Sequence, residues 1–233
     1  MPRAARCLSF GLLAAIGLWG CGRDSHAPQA GGLFGAGPSR PQRVPRPNTV
    51  AARIVHGAKE EARRGVQYDP TYRVIPYPGG DVPRDRGVCT DVVIRALRAA
   101  GYDLQKLIHE DMRRHFALYP RRYGLRRPDR NIDHRRTPNQ QVFFARHGTT
   151  LPKAITGRAA ATWLPGDLVY CRLPNGLGHT GVLSDVRGPS GLPMVLHNMS
   201  VAVEEDVLSA WEITGHYRYP PDGAAGRRRR ASR

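Results

Sequence analysis

Three side chains in this sequence could together do nucleophilic chemistry: the thiol of Cys89 and the imidazoles of His179 and His197. A thiol nucleophile needs a base within hydrogen-bond reach, and that base needs a third group to orient it. Cys89 falls where the loop Pro83-Arg84-Asp85-Arg86-Gly87-Val88 gives way to a helical pattern, with Val93, Leu97 and Ala100 on one face. Gly101 is placed to close that helix at its C′ position. A cysteine in the first turn meets unpaired N–H groups and the positive end of the helix dipole. That setting favours thiolate, the nucleophilic form. His179 is the expected base, opening a strand in Gly178-His179-Thr180-Gly181-Val182-Leu183. His197, in Val195-Leu196-His197-Asn198, lies on the next strand and is the expected orienter. A hairpin can bring the two histidines into neighbouring positions, depending on register. Asn198 competes for the orienting role, although alternation along a strand turns it to the opposite face from His197. Taken singly, each residue has a blander account: Cys89 as a small buried hydrophobe, the histidines as satisfied polar groups. Cysteine at a helix start, then histidine at a strand start, then a polar residue one strand later, is what favours a site.

The elements that must position these groups follow from the pattern. Val50, Ile54, Ala58 and Ala62 step by four, so a first helix is expected over 49–64. Residues 65–83 hold prolines at a density that forbids a regular helix. Helices are expected over 90–100, 104–119 and 138–147, the last ended by Gly148. Strands are expected over 164–173, 179–186, 192–199 and 213–219, with Gly188-Pro189-Ser190-Gly191 as a hairpin connection. Residues 203–211 read either way. Helices first and an antiparallel sheet second is the α+β order.

The net charge is +17, and Lys59, Lys106 and Lys153 are the only lysines, so arginine carries it. Arginine stays charged at any ordinary pH and suits anionic partners. Arg3 and Arg6 precede an apolar run from Leu8 to Trp19 that is too short to span a bilayer, so residues 1–20 read as an export signal. Leu18-Trp19-Gly20-Cys21-Gly22 resembles the bacterial lipoprotein processing box, which implies lipidation at Cys21 and, with Gly22 rather than Asp next, an outer-membrane or periplasmic-face location. Residues 21–48 are rich in Gly, Pro and Ser and read as a flexible tether; 49–220 is the folded domain, and 221–233, with Arg227-Arg228-Arg229-Arg230, a disordered basic tail. Cys7 leaves with the signal, so Cys89 and Cys171 are the mature domain's thiols. In an oxidising compartment these two could pair, which would disarm the nucleophile.

Pro165-Gly166-Asp167-Leu168-Val169-Tyr170 followed by His179-Thr180-Gly181-Val182-Leu183 resembles the core signature of the NlpC-type cell-wall peptidases, which are papain-like cysteine hydrolases. The resemblance implies Cys89 as nucleophile, His179 as base and His197 as third polar residue, on N-terminal helices packed against a small antiparallel sheet. A longer likeness, from Tyr68 to Tyr219, is to the bacterial family catalogued as domain of unknown function 1287. It is carried by Ile75-Pro76-Tyr77-Pro78, Asp85-Arg86-Gly87-Val88-Cys89-Thr90-Asp91, the stretch from Arg127 to Arg136, and Leu196-His197-Asn198. Two departures bear on substrate rather than on thiol chemistry. Thr90-Asp91 follows the cysteine where the peptidases usually carry Ser-Gly, and an excess of chain over 103–152 separates Cys89 from His179.

That excess carries Arg121, Arg122, Arg126, Arg127, Arg130, Arg135 and Arg136. They suit either bidentate grip on substrate carboxylates or phosphates or a solvated basic face. Asp133 and His134 could reach the site or staple the insertion to the sheet, and the staple is the expectation because the triad is already filled. His109 and His115 are six apart and do not share a helix face as a zinc-binding pair would. No C-x-x-C pair or phosphate-cradling glycine motif is present. Neither metal nor cofactor is therefore expected, and no recognition motif points to nucleic acid. The expected function is a lipid-anchored envelope cysteine peptidase or amidase acting on peptidoglycan peptides, its partners being wall polymer and, through the lipid, membrane. Two alternatives stand beside it: a binding or scaffolding lipoprotein of the same fold, and an acyltransferase using the same three residues.

Overall fold

The computed structural model describes residues 49–121, 124 and 126–221. The expected export signal, the expected lipidation site Cys21, the expected tether, Arg122 and all of the expected basic tail beyond Pro221 lie outside the described residues. Helix α1 (Val50–Arg64) is capped by the Thr49 side chain, which accepts from the Ala52 N–H. A two-residue strand β1 (Gln67–Tyr68) pairs in parallel with β2 (Arg86–Gly87). Helix α2 (Cys89–Ala99) follows at once, and Gly101 closes it in the left-handed region at φ 89°. Helix α3 (Leu104–His115) is capped by Asp103 and runs into a short 3-10 turn, so the apolar pattern expected to reach residue 119 ends its α-helical part earlier. Helix α4 (Thr137–His147) carries its proline in the first turn, where no N–H is needed.

The remaining strands are β3 (Thr149–Thr150), β4 (Leu168–Arg172), β5 (Gly178–Arg187), β6 (Pro193–Asn198), β7 (Ala202–Glu205) and β8 (Glu212–Arg218). They form one antiparallel sheet in the order β3-β8-β4-β5-β6-β7. The molecule is thus α+β, with helices preceding a six-stranded antiparallel sheet. The ambiguous stretch resolves into β7 and a 3-10 turn (Leu208–Ala210).

Strand alternation sends the sheet's side chains to two cores. Leu168, Tyr170, Val182, Leu196 and Tyr217 meet the helical layer, where Ile54, Val93, Leu97, Ile108 and Phe144 are buried. Val169, Leu183 and Val195 point the other way and are covered by Trp163 and Leu208, with Trp211 and Ile213 packed at the rim. The sheet is therefore buried on both faces, by helices on one and by irregular chain on the other. That explains why β4 and β6 carry the apolar runs Leu168-Val169-Tyr170-Cys171 and Met194-Val195-Leu196.

Candidate active site

Cys89 is the first residue of α2, and several anchors hold the loop that delivers it. Arg95, buried nearly two turns further on, donates to the Val82, Pro83 and Arg86 carbonyls at 3.0–3.2 Å. The same guanidinium reaches Glu61 at 2.6 Å and Asp81 at 3.1 Å, tying the loop to α1. Asp91, at the third position of α2, accepts from the Val88 N–H at 2.7 Å and from Arg135 through both carboxylate oxygens. Thr90 donates its hydroxyl to the Arg135 carbonyl at 2.9 Å. The arginine-rich insertion is therefore docked onto α2 beside the thiol.

His179 is the second residue of β5, and His197 the fifth of β6. The pairing of β5 with β6 includes Val182 opposite Leu196 and Leu183 opposite Val195. Gly181 permits the close approach here: a Cβ on it would stand 2.5 Å from Val195 Cγ1 and 3.2 Å from His197 Cβ. With β6 held that near, His179 Nε2 lies 3.1 Å from His197 Nδ1. The two rings meet edge to face, centroids 5.1 Å apart. Trp211 stands edge-on to both, at 5.1 and 5.0 Å. Beyond them, His197 Nε2 lies 3.1 Å from Glu205 Oε2 on β7. Asn198 takes no part: its amide donates to the Val66 and Gly87 carbonyls, on the other face, as strand alternation requires.

The Cys89 sulfur faces three amides, those of Thr180, Thr90 and Cys89 itself. Thr180 follows His179 directly, so the thiol sits against the opening of the strand that carries the expected base. Among the described residues the sulfur makes no hydrogen bond to an imidazole, and these backbone amides pull its pKa down. Tyr68, on β1, is close enough for a charge on Cys89 to raise its phenol, although burial is the larger cause.

The electrostatics differ from the expected thiolate. Burial pushes the Cys89 thiol up to about 12, and the Asp91 carboxylate adds to the rise against the pull of the three amides. Burial also brings His179 down to about 3, helped by neighbouring His197. His197 is lowered by burial, against the pull of Glu205. Burial thus favours the neutral form of the thiol and of both imidazoles. Cys89 and Cys171 are both free and buried rather than paired.

The insertion divides into two parts. Arg135 is buried on Asp91, and Arg136 reaches Asp133 at 2.9 Å, so both are engaged within the fold. Arg121, Arg126, Arg127 and Arg130 are exposed. Asp133 accepts from the Asp129 N–H, and Gln140 donates to the His134 carbonyl, so this segment is stapled to helices rather than to the sheet. Sequence reasoning missed Tyr68, Glu205 and Trp211 around the imidazoles and thiol. Glu205 had a visible signal, an acidic residue at strand spacing from Val203; Trp211 had none. Exposed apolar side chains also lie at this end of the sheet, Leu177 just before β5 and Met199 just after β6.

Comparison with known proteins identifies the family. The model of the family described as domain of unknown function (DUF1287) matches residues 55–219. The uncharacterized protein YijF of Escherichia coli (strain K12) is 52% identical over 167 residues, covering 71% of this chain and 80% of that protein. The chain belongs to the DUF1287 family.

Proposed function

We propose that this DUF1287 protein is a papain-like, NlpC-type cysteine hydrolase of the cell envelope, anchored by lipid at Cys21, that cleaves an amide bond in peptidoglycan peptides. One observation carries the reading: the 3.1 Å contact of His179 with His197, on the strand whose Thr180 amide meets the Cys89 sulfur. His179 uses Nε2 toward His197, which leaves Nδ1 as the ring nitrogen for a proton from the thiol. As sulfur bonds to the amide carbon, its proton passes to His179, and the oxygen's developing charge is met by the Cys89 backbone N–H. His179 then protonates the departing amine as the C–N bond breaks, leaving a thioester. Water attacks that thioester, giving its proton to His179, which returns it to the sulfur as the C–S bond breaks. A neutral thiol and neutral imidazole are competent for this route, because proton transfer accompanies attack rather than preceding it.

The test is turnover of purified wall fragments by wild type and by Cys89→Ala. Wild type releases a new amine, and the variant loses at least about a hundredfold in rate while melting as the wild type does. Equal turnover by the two proteins rejects the reading. Adding a free amine acceptor separates hydrolysis from acyl transfer by product mass. A second reading, a binding lipoprotein of the same fold, is favoured by one observation, the burial of the Cys89 thiol, which pushes its pKa up. It requires wall fragments to bind with no bond broken in either protein.

A further inference from the structure

We infer that Glu205 is a positioning residue of this site: its carboxylate dictates which ring nitrogens of His197 and His179 carry protons, and so keeps His179 Nδ1 bare. The role in turnover rests on the hydrolase reading above; the proton arrangement does not.

The argument runs inward from the edge of the sheet. A carboxylate can only accept hydrogen bonds. Glu205 Oε2 is 3.1 Å from His197 Nε2, so that nitrogen carries a proton. A neutral imidazole has one N–H, so His197 Nδ1 is bare and must accept. The atom 3.1 Å away is His179 Nε2, which must therefore donate. His179 then has its own proton on Nε2 and none on Nδ1. Removing Glu205 breaks the chain of reasoning at its first step. The contact between the two imidazoles is equally satisfied if His197 Nδ1 donates and His179 Nε2 accepts. In that arrangement His179 Nδ1 already holds the proton and has no lone pair left to take one from the thiol.

The surroundings leave the choice to this one group. Trp211 packs edge-on to both rings. The neighbouring Glu204 is engaged elsewhere, accepting from Ser184 and lying 3.8 Å from Lys59. Both imidazoles are buried, whereas Glu205 is 49% exposed, so it can be altered without opening the core.

The experiment reads the ring nitrogens of histidine-labelled, substrate-free protein by nitrogen NMR near neutral pH, because protonated and bare ring nitrogens have well-separated shifts. Wild type should show protonated Nε2 and bare Nδ1 on both His179 and His197. Glu205→Ala should show the reversed pattern in a substantial fraction of molecules. Glu205→Gln, whose amide oxygen can still accept, should restore the wild-type pattern. In turnover of wall fragments, Glu205→Ala should lower kcat about tenfold to a hundredfold with KM within about twofold, and Glu205→Gln should recover most of it. An unchanged nitrogen pattern in Glu205→Ala overturns the inference, even if turnover falls. So does a proton on His179 Nδ1 in wild type. If wild type turns over no wall fragment, the hydrolase reading fails, and the nitrogen pattern still decides the role of Glu205.

Discussion

At the scale of the residue, two effects compete at Cys89. A helix N-terminus stabilises a nearby negative charge by about 0.3–1 kcal/mol, which is under one pKa unit. Complete burial can raise a thiol by several units. Burial therefore wins, and Asp91, itself seated in the first turn of α2, adds a like charge. The consequence is measurable with iodoacetamide on the native protein. Alkylation of Cys89 should be slow at neutral pH and climb steadily through the alkaline range toward about 12. A plateau reached below pH 7 would show instead a thiolate held by an imidazolium. The same neutrality makes the placement of single protons decisive, which is why a carboxylate two groups removed from the sulfur matters.

At the scale of the element, α2 is held in place by buried ion pairs at its first turn and along its side. Arg95 ties it to α1 and to the preceding loop, and Arg135 ties the insertion to its first turn. Removing one member of a buried pair strands the other charge and costs about 3–5 kcal/mol. Arg135→Ala should lower unfolding stability by about that amount in urea titration, since Asp91 would remain buried with only the Val88 amide as partner. An effect below about 1 kcal/mol would place Arg135 among surface arginines, whose pairs are worth that little. The insertion thus acts as a brace for the helix that carries the thiol. Its exposed arginines, 121, 126, 127 and 130, are the part still available to an anionic partner.

At the scale of the whole molecule, polar anchors are spread well beyond the candidate site. On the helical side, Asp111 accepts from Tyr119 at 2.6 Å and from Arg146 at 3.0 Å, with His147 also 3.0 Å away. Burial works against its charge, but these three partners together bring the carboxyl from 3.8 down to about 2. A carboxyl lowered by folding stabilises the fold above its unfolded value near 3.8, and that contribution fades as pH falls through about 2. Wild type should therefore exceed Asp111→Asn in melting temperature at pH 5, with the gap closing by pH 2. A gap independent of pH would mean that shape rather than charge is what the site requires. Among the described residues no helix is long and apolar enough to cross a membrane. Cys21, the proposed anchor, lies outside those residues.

The sequence alone determined the α+β order, most helix and strand positions, and the opposed facing of His197 and Asn198. These depend on local periodicity, which a few neighbouring residues suffice to set. It also marked the family through long contiguous stretches around Cys89 and His197. Only the tertiary structure decided that Arg135 is buried against Asp91, that Trp211 walls the imidazoles, and that Glu205 lies behind them. It also decided the burial of the thiol, which pushes its pKa up, because desolvation depends on everything packed around the sulfur, and no spacing along the chain records how many distant segments converge on one atom.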